Sequence, residues 1–339
     1  MQDVLDRLPL GIPAEDVQPR IYPDPGLPMI EDGPRFEIAA GSEGYPAELA
    51  HVQHPPKRLY AIGDPACLSA GLAIVGARKA TPYGISCAER FAAIAARAGV
   101  TVISGGAVGC DQAAHRGALR EGGKTVVVLG SGANVVYPKR GRVLFEEVVR
   151  KGGTLVSEQP WGMPPQKYAF KKRNRIIAGL ARAVLIVEAG MPSGTFSTAD
   201  YALNAGKDVL VVPGSIFSRE SSGSNRLLRD GAIPIIDDES LVLELGRIFG
   251  ELGSQPIDTP LEWQLGFEPT PLQAQLLSVV AAAPQEPDDL LDVLGVSMVE
   301  VIKNLSMLEA RGAVSRYPDG RFGLSTAVLR GHAPQPALR

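Results

Sequence analysis

Between Gly71 and Ile236 the chain alternates short, uninterrupted apolar runs with longer amphipathic stretches, and few architectures absorb that alternation. The runs Leu72–Val75, Val100–Ser104, Thr125–Gly130, Thr154–Ser157, Ala183–Glu188 and Asp208–Pro213, with a shorter Ile233–Ile236, are rich in Val, Ile and Leu. A strand that is apolar on both sides must be covered on both sides. The segments between them, Tyr83–Ala98, Asp111–Glu121, Arg142–Lys151, Gln166–Leu180, Thr195–Ala205 and Ser224–Arg229, have the length and pattern of helices that supply such cover. The fold class read from this is α/β: an extended Rossmann-like, doubly wound, mostly parallel sheet.

The flanks are different in kind. Residues 1–44 read as a proline-rich arm, because Pro23, Pro25, Pro28 and Pro34 forbid a long helix. Tyr45–Leu49 then reads as a short helix, Pro55-Pro56 as a stop, and the residues up to Tyr60 as an edge strand, opening a domain over 45–248. A proline-containing linker over 249–269 leads to a small unit over 270–326. There Thr270-Pro271 and Pro287 start helices, and Ser297 with Glu300 forms a capping box for a third. Gly312 ends it, and a hairpin turning at Pro318-Asp319-Gly320 follows, which makes a small C-terminal winged-helix domain with a tail over 327–339.

The formal net charge of −3 excludes a protein that coats a polyanion by overall attraction, so any such site must be a local patch. One exists. From Lys139 to Arg182 there are eleven basic residues against only Glu146, Glu147 and Glu158. Cys67, Cys87 and Cys110 are far apart, and the four histidines have no ligand spacing, so neither a disulfide nor a metal is expected. With no signal segment and no apolar run of membrane-spanning length, the expectation is a soluble cytoplasmic protein.

The patch is densest at Lys167-Tyr168-Ala169-Phe170-Lys171-Lys172-Arg173-Asn174-Arg175, just before the strand Ala183–Val187. Cations that follow a phosphate backbone, mixed with a ring on which a base stacks, are what a single-stranded nucleic-acid groove needs. Read alone, the segment fits an amphipathic surface helix equally well. In open parallel sheets ligands bind beyond the carboxyl ends of the strands. Three loops fall there: Gly76-Ala77-Arg78, Ser104-Gly105-Gly106-Ala107-Val108-Gly109 and Ser193-Gly194-Thr195, the last opening a helix whose N-terminus favours an anion. Each loop also has a structural reading: Arg78 can pair with Asp111, and glycines after strands are often only turns. The convergence of all three on one rim favours a site.

In this order along the chain, Tyr45-Pro46, Pro55-Pro56, Ile74-Val75-Gly76-Ala77-Arg78, Gly109-Cys110-Asp111, Tyr137-Pro138, Ser157-Glu158, Phe170 with Arg173-Asn174-Arg175, Glu188 and Val212-Pro213-Gly214 resemble the motifs of the bacterial DNA-processing protein A (Smf) family. The resemblance implies single-stranded DNA binding in a basic pocket, a homodimer, and loading of RecA recombinase during natural transformation, with no cofactor. Carried over by motif, it implies DNA contacts from Arg78, Lys167, Phe170, Arg173, Asn174 and Arg175, with Gly76, Ser193, Gly194 and Thr195 lining the pocket. The chain departs from the pattern at Lys171, where proline is common, and at Cys110, where isoleucine is usual. The short proline-rich arm is not expected to form the helical N-terminal domain many relatives carry.

Two other classes compete. Arg-x-Arg, a strand and a Gly-Thr helix start are similar to the LOG-like nucleotide phosphoribohydrolases, which need an acid three residues after the threonine. Here that position is Thr198, and Asp200 is turned about 200° further round the helix, so no catalysis is expected. A recombination scaffold that does not bind DNA is the other. The third C-terminal helix balances Glu300 and Glu309 against Lys303 and Arg311, which suits a protein contact better than reading a DNA groove.

Overall fold

The computed structural model describes residues 26–250, 265–317 and 319–329. The first part of the proline-rich arm, most of the 249–269 linker, Pro318 of the hairpin turn and the end of the tail lie outside the described residues.

Among the described residues nine strands form one sheet: β1 (Arg35–Ala39), β2 (Arg58–Gly63), β3 (Gly71–Val75), β4 (Val102–Ser104), β5 (Thr125–Val128), β6 (Thr154–Ser157), β7 (Ala181–Ile186), β8 (Asp208–Val211) and β9 (Ile233–Pro234). Their spatial order is β1-β2-β6-β5-β4-β3-β7-β8-β9. The seven from β6 to β9 run parallel, and β1 and β2 add an antiparallel edge. The chain moves outward from β3 to β6 and then returns to place β7 on the other side of β3. The β3/β7 seam is therefore the topological switch point, where open α/β sheets bind ligands.

The helices follow the expected alternation: α1 (Pro82–Arg97), α2 (Cys110–Arg120), α3 (Arg142–Arg150), α4 (Lys167–Leu180), α5 (Thr195–Asn204), α6 (Ser222–Arg229) and α7 (Asp238–Phe249). Strand residues alternate between two cores. Ala73, Val75, Val184 and Ile186 face α4 and α5, and Leu72, Ile74, Ala183 and Leu185 face α1, α2 and α7. All five residues of β3 are buried, which is why its sequence lacks a polar face. Local signals set the helix starts: Thr81 accepts a hydrogen bond from the Gly84 N–H at 3.2 Å, with Pro82 in the first turn of α1.

Two expectations need correction. The end of the proline-rich arm is a strand of the sheet domain: β1 pairs with β2 over its whole length, burying Ile38, while Glu37 meets Arg58 at 2.6 Å and accepts from Trp161 Nε1 at 2.9 Å. The prolines stop at Pro34, one residue before the strand. Because β1 covers it, β2 is an interior strand and not an edge. Helix α7, absent from the sequence reading, is announced by Asp237, whose side chain accepts from Ser240 N–H at 2.8 Å.

After the core come α8 (Pro271–Ala282), α9 (Pro287–Leu294), α10 (Met298–Ala310), the antiparallel pair β10 (Val314–Arg316) and β11 (Phe322–Leu324), and the short α11 (Thr326–Leu329). The Ser297–Glu300 capping box forms as expected. This unit has its own core, which includes Leu276, Val301, Leu305, Leu308 and Phe322. It meets the sheet domain through Arg321, whose Nη2 lies 2.9 Å from Glu220 Oε1.

Candidate nucleic-acid interface

A cavity of about 510 Å³ opens at the β3/β7 switch point. Its walls are the loop after β3, one face of α4, and the loop that follows β7 into α5. Of the residues singled out from the sequence, Gly76, Arg78, Lys167, Phe170, Arg173, Asn174, Ser193, Gly194 and Thr195 all line it. Helical spacing explains the α4 set. Lys167, Lys171 and Asn174, with Phe170, Arg173 and Ile177 beside them, occupy one side of a 3.6-residue helix.

Arg175 is the exception. Two residues past Arg173 it is turned about 200°, away from the cavity, and is buried in a bidentate pair with Glu158 (Nη1–Oε1 3.0 Å, Nη2–Oε2 2.7 Å). Its Nε donates to the His54 carbonyl at 3.0 Å, which pins α4 to the loop before β2. Arg175, expected among the DNA contacts, thus lies outside the cavity and is held in a structural pair. Arg173 does reach the cavity, but as part of its floor. Its Nη1 donates to the Gly105 carbonyl at 2.7 Å and to the Val128 carbonyl, and burial pulls the guanidinium down to about 10 despite Asp111 nearby. It supplies positive potential and shape: Nη1 is committed to the two carbonyls, while Nε is buried without a hydrogen-bond partner.

The free cations are Arg78, Lys167 and Lys171. All three are exposed at the rim, and among the described residues none forms an ion pair. The acid beneath them is Asp111, in the first turn of α2, accepting from Ala107 N–H at 3.3 Å. Burial pushes its carboxyl up, and Arg173 and Arg78 oppose that shift.

Phe170 is half-buried. Its ring sits 5.3 Å from that of Tyr137, with the Arg78 guanidinium 5.9 Å from its centroid. The chain makes room for the ring at Gly130, where a Cβ would stand 2.8 Å from Phe170 Cδ1. Gly76 is required for a similar reason: a Cβ there would meet Cys110 Sγ at 2.6 Å. The first turn of α5 also lines the cavity and brings the positive end of its dipole there, with Thr195 N–H donating to Ser193 Oγ at 3.2 Å and Ser197 N–H to the Gly194 carbonyl at 3.3 Å. Asn174 Nδ2 donates to Ser197 Oγ at 2.9 Å and so ties α4 to that turn.

Lys171, Ser197, Thr198 and the Asp111 floor were not assigned to the site from sequence. Lys171 was reachable, four residues on from Lys167 on the same face. Asp111 was seen only as a partner for Arg78 because its depth is a tertiary property. Thr198 lines the cavity without a charge, and Asp200 is exposed and outside it. Among the described residues there is no cluster able to hold a metal ion, and no helix is long and apolar enough to cross a membrane.

The chain matches known proteins over most of its length. Residues 37–246 match the family model of DNA recombination-mediator protein A. The chain is 34% identical over 313 residues to protein Smf of Escherichia coli, covering 91% of this chain and 83% of that one. It is 36% identical over 210 residues to DNA processing protein A of Bacillus subtilis, covering 61% of this chain and 70% of that one. Among solved structures, DNA processing protein A of Streptococcus pneumoniae matches with a TM-score of 0.58 at 34% identity, covering 61% of this chain and 73% of the other. The Helicobacter pylori protein, whose single-stranded DNA binding mode has been described, matches with 0.57 at 30% identity, covering 63% and 96%. By sequence and by fold, this chain belongs to the DNA recombination-mediator protein A family, whose members act in DNA processing and recombination.

Proposed function

We propose that the switch-point cavity binds single-stranded DNA without sequence preference and without catalysis. Three cations without an ion-pair partner among the described residues, Arg78, Lys167 and Lys171, beside the half-exposed Phe170 ring and the N-terminus of α5, carry this reading. The cations and the helix end take phosphates, and the ring takes a base face. Duplex DNA hides its base faces and gains less from Phe170. The single-strand binding described for the Helicobacter pylori relative supports the same assignment.

A salt titration on single-stranded and duplex oligonucleotides tests it. Three phosphate contacts give a log–log slope near −2 for the single strand, at about −0.7 per phosphate, and Arg78→Ala removes about one such increment. Equal affinity for duplex and single strand, or an Arg78→Ala slope equal to wild type, refutes it.

The family also supports a role in handing the bound strand to RecA recombinase, as a homodimer, during natural transformation. Residues 270–326 fit a winged-helix module used for protein contact: α10 exposes Val299 and Ile302 on its outer side, where a groove-reading helix would carry cations. A pull-down of RecA by the full chain, with and without Val299→Glu, tests that part.

A further inference from the structure

A second cavity, of about 350 Å³, lies at the seam between the sheet domain and the C-terminal unit, within the size range of small-ligand clefts. Its chemistry is opposite to that of the first. At its inner end sits Glu188, only 2% exposed. Thr81 supplies its hydrogen bonds, N–H to Oε2 at 2.9 Å and Oγ1 to Oε1 at 2.6 Å, which leaves acceptor capacity on both oxygens. Among the described residues no cation pairs with it, and Glu220 is its nearest charged influence. A carboxylate buried without a countercharge is costly, and burial pushes this one up to about 7.

Tyr317, Ser218 and Ser221 also line the cavity, and no Lys, Arg or His does. The opposite wall, from the C-terminal unit, is apolar: Val280, Pro284, Leu324 and Leu329. A phosphate or carboxylate would be repelled here. An apolar body with two N–H donors side by side would satisfy both oxygens of Glu188 and cover the apolar wall.

We propose that this seam is a small-molecule site for a phosphate-free ligand presenting an amidine-type edge, two adjacent N–H donors on a flat apolar body. Both an organic amidinium cation and the neutral guanine edge have that chemistry. Because the two walls belong to different units, the ligand bridges them. The site is independent of the switch-point cavity, which shares none of its lining.

Calorimetry on the full chain with benzamidine, guanosine and benzoate decides the matter. Saturable binding of benzamidine or guanosine, with none of benzoate, is expected. The one that binds tells a cationic ligand from a nucleobase. Glu188→Gln should weaken binding by about tenfold or more, the scale of a lost charge-assisted hydrogen bond. Leu329→Trp, which fills the cavity from the C-terminal side and leaves Glu188 in place, should abolish it, and unchanged single-stranded DNA affinity confirms that each variant is folded. If Glu188→Gln does not fold, Leu329→Trp alone decides. Failure of both benzamidine and guanosine to bind at millimolar concentration, equal binding of benzoate, or undiminished binding by Leu329→Trp overturns the proposal.

Discussion

Arg175→Met separates cations that hold the fold from cations that hold a ligand. In the native protein the Arg175 side chain is 4% exposed and that of Glu158 9%, joined by two hydrogen bonds of 3.0 and 2.7 Å. Removing one partner of such a buried pair costs about 3–5 kcal/mol, because the other charge stays buried. Here Lys172 Nζ lies 3.2 Å from Glu158 Oε2 and is half-exposed, so part of the countercharge survives. The lower end, about 3 kcal/mol, is therefore expected. Urea unfolding should show a lower midpoint with an unchanged slope. The double variant Arg175→Met/Glu158→Leu should recover most of the loss, since no orphan charge remains. In non-denaturing buffer the single variant should bind single-stranded DNA with the wild-type salt slope, whereas Arg78→Ala should not. If Arg175→Met left stability unchanged while lowering DNA affinity and salt slope, the assignment of roles along α4 would be wrong.

Phe170→Ala should weaken single-stranded DNA binding by about 1–3 kcal/mol, the range of one base–aromatic stack, and fluorescence anisotropy measures it. Gly130→Ala should act on the same ring indirectly. Its Cβ would stand 2.8 Å from Phe170 Cδ1, and such overpacking costs about 1–3 kcal/mol of stability while displacing the ring. Its DNA affinity should fall in the same assay, and an unmoved affinity would show that the ring does not face the ligand. His115, wholly buried with Nδ1 2.7 Å from Thr125 Oγ1, is pulled from 6.5 down to about 3 by burial, with Arg116 and Arg173 adding to it. Between those values the unfolded chain binds the extra proton, so this stabilising contribution is intact above pH 6.5 and lost as pH falls toward 3. Glu188, raised from 4.5 to about 7, works the other way and loses stability as pH rises between those values. Relative to His115→Gln, the wild type should therefore lose about 1.4 kcal/mol per pH unit on acidification through this window, measured by urea midpoints. Parallel curves for the two proteins would count against a buried neutral imidazole.

What the sequence by itself determined were features with a local cause. Continuous apolar runs required a sheet covered on both faces, and capping residues such as Thr270 and Ser297 placed helix starts closely. The loops after β3 and β7 were expected on one carboxyl rim, and the strand order brings them together around one cavity. Tertiary structure decided whatever depended on depth and direction. Arg173 and Arg175 look alike in sequence. One reaches the cavity floor and the other an ion pair with Glu158, because α4 turns 200° between them and a carboxylate 17 positions upstream waits on the second side. Strand β1 escaped notice because five residues at a sheet edge are held by their partner strand, and no local pattern announces that partner. The seam cavity was equally invisible, since Glu188 and Leu329 are brought together only when the C-terminal unit docks.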